Sequence, residues 1–361
     1  MTAKKKILVA MSGGVDSSVT AALLQERGYE VIGATMRLSE ESRAVLDDDG
    51  SARQAVTDAK HVSEILGIEH HVIDLRADFE KNVICYFVNE YARGRTPNPC
   101  VECNRTMKFG DMISKAKELG ADYIATGHYA RVICNEETGF YELRKGLDEH
   151  KDQSYVLYHL GQDKLSHLIL PLGEYAKTEV RKMAKGYGLP VAHKAESQEI
   201  CFIPDDDHAR FLREHRPESF VPGDIVDTEG HVLGRHQGLP LYTIGQRKGM
   251  GIAAPEPLYV IRLDTEKNQV VVGGANDVFA TGLNAEYAAW ITEVPAEPVR
   301  CTAKIRYGRR EGACTASMLV DGRLRVEFDE PQRAVTPGQS VVLYDGERVL
   351  GGGVIQTVDS N

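Results

Sequence analysis

The sequence predicts an α/β chain that opens with a doubly wound, mostly parallel sheet and continues into a small central domain and a C-terminal β-barrel. In the first half, short apolar strands alternate with helical segments. Near Asp205 this pattern gives way to frequent turns, and beyond Ala280 short strands follow one another between turn signals. Two or three domains are the expectation for 361 residues. We expect domains at 1–204, 205–275 and 276–361.

The first half supplies the elements of the sheet in order. Hydrophobic periodicity predicts strands at Ile7–Met11, Glu30–Met36, His70–Asp74 and Asp122–Thr126, and helices at Val15–Gly28, Ala52–Leu66, Phe79–Tyr91, Phe109–Leu119 and Lys177–Tyr187. Ligands of such sheets bind beyond the carboxyl ends of the strands. The loops after Met11, Met36 and Thr126 should therefore converge on a binding site.

The remaining elements are shorter. A helical stretch at His208–Arg213 lies at the start of the central domain. Strands are then predicted at Arg300–Tyr307, Cys314–Leu319, Leu324–Phe328, Ser340–Tyr344 and Val349–Thr357, a spacing typical of a small barrel.

Composition narrows the class of protein. A net charge of −10 excludes a uniformly basic nucleic-acid coat protein, although a local basic patch stays compatible with it. No apolar run approaches the ~18 residues of a membrane span, and the apolar stretch after Lys6 is too short for a secretion signal. Seven cysteines, an odd number, do not indicate a disulfide framework. We expect a cytosolic protein without membrane contact.

The strongest motif is Ser12-Gly13-Gly14-Val15-Asp16-Ser17-Ser18, between the first strand and the first helix. Glycines let the backbone approach a ligand closely, and the amides at a helix start point toward an anion. No lysine follows the glycines, so the loop is not that of the common P-loop NTPases. The alternative is an ordinary strand–helix turn with a serine cap.

Two cysteines stand in unusual surroundings. Cys103 follows the proline-rich segment Thr96–Pro99, and Cys201 follows the last helix of the α/β pattern. The basic residues around Cys103 predict a stabilised thiolate; they are Arg93, Arg95, Arg105 and Lys108. The other cysteines inside predicted elements are expected to pack without reacting, namely Cys85, Cys134, Cys301 and Cys314.

A basic segment lies in the predicted barrel. Between Arg300 and Arg310 there are five basic residues and no acidic one, with Tyr307 among them. Cations interleaved with an aromatic ring suit unpaired RNA bases, although a solvated strand face is the alternative. This segment favours RNA as a partner.

Taken together, these motifs resemble the bacterial tRNA-specific 2-thiouridylases, members of the PP-loop ATP pyrophosphatase superfamily. The glycine-rich loop alone is shared with other synthetases. Further motifs extend the resemblance over nearly the whole chain: Gly94–Pro99, Cys103-Asn104, Ala125–Tyr129, Lys151–Tyr155, Cys201–Ile203, Thr243–Gly249 and Pro337–Ser340.

The resemblance implies a two-step reaction on the wobble uridine, position 34, of tRNAs for Lys, Glu and Gln. ATP would adenylate the C2 oxygen, releasing pyrophosphate, and sulfur from a cysteine persulfide would then displace AMP. The implied catalytic residues are Cys201, which carries the persulfide, Cys103, which attacks it, and Asp16, which helps to hold Mg²⁺. The implied partners are the tRNA anticodon stem-loop and a sulfur-donor relay protein or cysteine desulfurase.

The resemblance also implies binding residues. ATP would be surrounded by Ala10, Met11, Ser12, Gly13, Gly14, Val15, Asp16, Ser17, Met36 and Gly127. The tRNA would be contacted by Asn98, Pro99, Cys100, His128, Lys151, Asp152, Gln153, Arg306, Tyr307 and Gln339.

One residue departs from the family pattern. Cys100 stands where many members have Asp, and it forms a CxxC with Cys103. Three cysteines (Cys100, Cys103 and Cys201) could hold an iron–sulfur cluster, but we favour the persulfide route and expect no bound metal. A zinc site lacks a second ligand pair.

Two other functions stay open on sequence alone. A PP-loop ligase that forms an amide or guanidine on a small metabolite would need no reactive cysteine. A non-catalytic tRNA-binding protein is disfavoured by the intact ATP loop.

Overall fold

A five-stranded parallel sheet is the centre of the N-terminal unit of the computed structural model, which describes residues 4–38, 51–195 and 200–360. Its strands are β1 (Lys6–Ala10), β2 (Glu30–Arg37), β3 (Glu69–Asp74), β4 (Tyr123–Ala125) and β7 (Leu168–Ile169). They are ordered β3-β2-β1-β4-β7, and every pairing is parallel. The strands that follow β1 thus lie on both sides of it: β2 and β3 on one side, β4 and β7 on the other. Ligands of such sheets bind at this switch in strand order.

Helices complete this unit. They are α1 (Val15–Glu26), α2 (Ser51–Leu66), α3 (Arg76–Phe79), α5 (Pro99–Cys103), α6 (Met112–Glu118), α7 (Gln162–Leu165) and α8 (Lys177–Gly186). Side chains of β1, α1 and α8 form one buried cluster that includes Val9, Val19 and Val180. An antiparallel hairpin of β5 (Ala130–Cys134) and β6 (Tyr141–Lys145) belongs to the same unit.

Two compact units make up the chain. One comprises Met1–Val83, Cys100–Phe202 and Glu347–Leu350, and the other Ile84–Pro99, Ile203–Gly346 and Gly351–Asn361. The second unit contains the helices α4 (Cys85–Ala92) and α9 (His208–His215).

The second unit holds a small sheet and a barrel. The sheet has the order β10-β11-β8-β9, formed by β8 (Gly223–Val226), β9 (Val232–His236), β10 (Tyr259–Asp264) and β11 (Gln269–Gly273). The barrel strands are β12 (Phe279–Trp290), β13 (Val299–Lys304), β14 (Gly312–Met318), β15 (Leu324–Arg333), β16 (Ser340–Asp345) and β17 (Arg348–Ser360). Their order is β12-β15-β14-β13-β16-β17, and pairing of β12 with β17 closes the barrel.

The predicted fold class is confirmed, with differences in local structure. The helix predicted at Phe79–Tyr91 is interrupted by a π-helical turn at Glu80–Ile84, and the one predicted at Phe109–Leu119 begins with a π-helical segment at Asn104–Asp111. Pro99 starts α5, where its missing N–H is no loss because the first helical amides have no intrahelical acceptor. Within the described ranges, no helix is long and apolar enough to cross a membrane.

Candidate active site

The loop after β1 has the backbone of an anion site. Gly13 has φ +68°, and a Cβ there would lie 2.3 Å from the carbonyl oxygen of Ala55, so no other residue fits this position without a shift. Gly14 is the N-cap of α1 and has no side chain to cap the helix. The amides of the first turn are therefore left for an external acceptor.

The serines of the loop mainly hold its shape. Ser17 Oγ accepts a hydrogen bond from the Ser12 amide at 3.1 Å, and Ser18 Oγ donates to the Gly14 carbonyl at 2.8 Å. Met11 and Val15 are buried, so only their backbone can reach a ligand. Hydrogen bonds within the loop and burial of its apolar side chains thus hold the shape of the predicted ATP loop.

Gly127, after β4, lies directly against this loop. A Cβ on Gly127 would come within 2.9 Å of the Asp16 carbonyl carbon and 3.0 Å of the Ser17 nitrogen. The loops after β1 and β4 thus touch, as the switch-point prediction requires. Met36, near the end of β2, is half-buried.

Asp16 contacts a lysine that the sequence analysis did not identify. Lys177 Nζ lies 2.7 Å from both carboxylate oxygens of Asp16, and the Tyr129 hydroxyl donates to Oδ1 at 2.8 Å. Lys177 is only 7% exposed. A buried lysine in the first turn of a helix opposes the helix dipole, and this unfavourable placement was the available signal.

The structure brings Cys100, Cys103 and Cys201 together. Burial is the largest cause that raises the pKa of Cys201 to about 12, and the neighbouring thiols of Cys103 and Cys100, once ionised, raise it further. Burial also raises the pKa of the Cys100 and Cys103 thiols, while the Lys108 ammonium opposes the rise at all three. None of the three forms a disulfide. Cys103 is buried, whereas Cys100 and Cys201 are exposed as whole residues although protein atoms surround their thiol groups.

The prediction that nearby basic residues stabilise a Cys103 thiolate is therefore wrong, because the pKa of this thiol is raised. Of the basic residues near it in sequence, Arg105 is paired with Glu102 at 2.6 Å and Arg95 with Glu90 at 2.8 Å. These carboxylates neutralise the guanidinium groups, and only Lys108 lowers the thiol pKa. Burial outweighs it, so the thiols are protonated near neutral pH.

Lys108 also connects the thiols with the ATP loop. Its charge adds to burial in lowering the pKa of His128 well below its usual value, and the Phe109 ring lies 5.9 Å from the His128 ring. His128 follows Gly127, which touches Asp16. Cysteine cluster and phosphate loop thus lie at the same end of the parallel sheet.

Several predicted tRNA contacts already have protein partners. His128 Nδ1 is 2.6 Å from Thr126 Oγ1, and Asp152 accepts bonds from the amides of Gly146 and Ser154 at 3.1 and 3.0 Å. Gln153 Oε1 accepts from the Tyr129 amide at 2.9 Å. These side chains order the loops around the site, and direct contact with tRNA stays a prediction for them and for Lys151.

Two predicted tRNA contacts in the second unit, Gln339 and Arg306, also have hydrogen-bond partners within the protein. Gln339 Nε2 donates to the carbonyls of Thr96 at 2.8 Å and Pro97 at 3.3 Å, in the segment that carries Asn98 and Pro99. Arg306 donates to the Ile244 carbonyl at 3.2 Å and to Thr336 Oγ1.

Part of the basic segment in the barrel is neutralised. Arg300 pairs with Asp329 at 2.6 Å, and Lys304 lies 3.8 Å from Glu311. Tyr307, Arg309 and Arg310 lie exposed on the turn between β13 and β14. This turn is the most open part of the segment toward a nucleic acid.

A metal site is not evident. In the ranges 4–38, 51–195 and 200–360, no group of three or more His, Cys, Asp or Glu side chains lies close enough to hold a metal ion.

The four cysteines that were expected to pack inside helices or strands differ in their exposure. Cys314 is buried and Cys301 half-buried, whereas Cys85 and Cys134 are exposed, contrary to the prediction.

All three regions of the chain match known protein families. Residues 5–205 match a tRNA methyl transferase HUP domain, 209–274 a tRNA methyl transferase PRC-barrel domain, and 280–355 an aminomethyltransferase β-barrel domain. The tRNA-specific 2-thiouridylase MnmA of Carboxydothermus hydrogenoformans is 51% identical over 98% of both chains. That of Moorella thermoacetica is 52% identical over 97% of this chain and 99% of the relative.

Proposed function

Because this chain belongs to the tRNA-specific 2-thiouridylase family and catalyses 2-thiouridylation of tRNA, we propose that it does so by adenylating the C2 oxygen of uridine 34 and then transferring sulfur from a cysteine persulfide. The single observation that carries this proposal is the convergence of three thiols with the ATP loop at one end of the sheet. The substrates we propose are the tRNAs for Lys, Glu and Gln.

In the first step the uridine C2 oxygen attacks the α-phosphorus of ATP, and pyrophosphate leaves. The unpaired amides at the start of α1 hold phosphate oxygens. Lys177 neutralises Asp16 in the free enzyme and can turn toward the phosphates when ATP arrives. Tyr129 then keeps its hydrogen bond to Asp16.

Mg²⁺ would be held by Asp16 together with phosphate oxygens, because Mg²⁺ usually takes one or two carboxylates plus the substrate phosphates. For this, Lys177 must release at least one carboxylate oxygen. The side chain of Asp16 is 32% exposed, so an ion can reach it.

In the second step the terminal sulfur of a persulfide on Cys201 attacks C2, and AMP leaves. Cys103 then attacks the Cys201 sulfur, which frees the thiocarbonyl sulfur on the base and forms a Cys103–Cys201 disulfide for later reduction. The Cys201 residue lies at the surface, where a cysteine desulfurase or relay protein can reach it, although protein atoms surround its thiol; Cys103 is buried. Cys100 takes no part in this route.

The test separates the two steps. Cys103→Ser and Cys201→Ser should each keep ATP–pyrophosphate exchange but form no 2-thiouridine, measured by mass spectrometry of tRNA nucleosides. Cys100→Asp is the matched control and should retain activity. Full thiolation by Cys103→Ser would refute the persulfide route. It would also be refuted if anaerobically purified wild type contained stoichiometric iron while Cys100→Asp contained no iron and had lost activity.

A further inference from the structure

A second pair of cysteines lies in the barrel, away from the thiols of the active site in the sequence and in the other compact unit. Cys301 on β13 is the direct cross-strand partner of Cys314 on β14, and the two Sγ atoms are 3.6 Å apart. Directly opposed residues of an antiparallel pair have the Cβ separation nearest to what a disulfide needs. Closing the bond requires the sulfurs to approach to roughly 2.05 Å.

The two thiols differ in access and in proton affinity. Cys314 is fully buried, and Cys301 is half-buried. The hydrogen bond shared with Cys314 lowers the pKa of Cys301, and the Arg300 guanidinium lowers it further, although burial opposes both. The same hydrogen bond and burial raise the pKa of Cys314. One thiol is thus the accessible nucleophile, and the other is a protected resolving partner.

The pair lies midway along the ladder of a hairpin with an exposed tip. Two register steps beyond Cys301 and Cys314, Ala303 pairs with Gly312, and the turn that follows carries Tyr307 and Arg309. Beside the pair, Arg300 on β13 donates to Thr315 Oγ1 on β14 at 3.1 Å and to Asp329 on β15.

We propose that Cys301 and Cys314 form a redox-active dithiol that a small-molecule disulfide oxidises to a disulfide between the two strands of this hairpin. The Cys301 thiolate attacks one sulfur of the oxidant and releases one thiolate, leaving a mixed disulfide on Cys301. Cys314 then attacks the Cys301 sulfur, its proton passes to the departing thiolate, and the second thiol is released. Two protein thiols are oxidised, and one disulfide is reduced to two thiols.

Oxidation draws β13 and β14 together just before the turn that carries Tyr307 and Arg309. The consequence for RNA binding rests on the proposed function, because it assumes that this turn contacts tRNA. The formation of the disulfide does not depend on that assumption.

The first experiment titrates the full-length protein in glutathione buffers of increasing oxidised fraction, followed by alkylation, trypsin digestion and mass spectrometry. The expected product links peptides 301–304 and 311–323 and is two hydrogens lighter than the reduced pair. Cys85 and Cys134, which are exposed, serve as internal controls and should appear only alkylated or bound to glutathione. Alkylation of both Cys301 and Cys314 at the most oxidising ratio, or glutathione on Cys301 without the link, would overturn the proposal.

The second experiment measures tRNA affinity over the same titration, in a Cys103→Ser background that prevents the active-site disulfide. Affinity should change with a midpoint that coincides with that of the link, and Cys301→Ser in the same background should abolish the change. An affinity that is constant while the link forms refutes the coupling to RNA. Absence of tRNA binding at every ratio refutes the proposed role of the turn and leaves the dithiol standing.

Discussion

Replacing Lys177 by Met should greatly lower the rate of the adenylation step and destabilise the N-terminal unit. In the native protein the Lys177 ammonium contacts both Asp16 oxygens at 2.7 Å, with the lysine side chain 9% and the aspartate side chain 32% exposed. Removing one partner of a fully buried pair costs about 3–5 kcal/mol. Since Asp16 is partly solvated, we expect roughly half of that, about 2 kcal/mol.

The expected effect on catalysis is larger than a loss of stability explains. Removing one preorganised donor to a developing phosphate charge costs about 10²–10³ in rate. ATP–pyrophosphate exchange in the presence of tRNA measures this step, and urea denaturation measures stability. Lys182→Met is the matched control, because Lys182 lies on the same helix and is exposed.

A double variant separates the two effects. Asp16→Asn combined with Lys177→Met leaves no uncompensated charge, so the urea midpoint should return toward wild type while exchange stays lost. Wild-type exchange in Lys177→Met would refute the catalytic role of this lysine. A midpoint equal to that of Lys182→Met would show that the ion pair contributes nothing to stability.

Three further predictions follow from the geometry. The pKa of Cys201, raised to about 12, predicts that its alkylation by iodoacetamide rises about tenfold per pH unit between pH 7 and 10, which peptide mass spectrometry can follow; a plateau near pH 8 would contradict it. Replacing Arg309 and Arg310 by Ala should reduce the log–log salt slope of tRNA binding by roughly 1.4, at ~0.7 per single-strand contact, whereas the exposed control Arg235→Ala should leave it unchanged. Gln339→Ala removes the two hydrogen bonds that the Gln339 amide donates to the segment before Asn98. Hydrogen exchange at the Thr96 amide should therefore accelerate while tRNA affinity is unchanged. Lower affinity with unchanged exchange would identify Gln339 as a direct tRNA contact.

The sequence predicts the first half of the fold well because its signals are local. A buried parallel strand followed by Gly13 and Gly14 allows few structures, and β1, the loop and α1 lie where periodicity places them. The strand β12 is missed because its segment shows weak apolar alternation, and its pairing with both β15 and β17 determines its conformation. The π-helical turns leave no periodic signal of their own.

The candidate site is predictable in its residue types but not in its charges. Nearness in sequence suggested that arginines activate Cys103, yet Glu90 and Glu102 bind them in the folded chain. Lys177 is distant from Asp16 in sequence, and only tertiary structure brings its ammonium to the carboxylate. Ion pairs depend on the path of long side chains, which periodicity does not encode.

The resulting charge pattern suits the order of the two proposed chemical steps. Before substrates bind, three thiols are protonated, the low pKa of His128 keeps its ring neutral, and Lys177 is bound to Asp16. Protonated thiols react slowly with oxidants and alkylating agents, so protonation protects Cys103 and Cys201 from both. On the proposed persulfide route, Cys103 would attack a sulfur–sulfur bond, and this attack would require Cys103 to lose its proton. Because burial keeps that proton in place against the pull of the Lys108 ammonium, deprotonation of Cys103 would be a controlled step of sulfur transfer on this route.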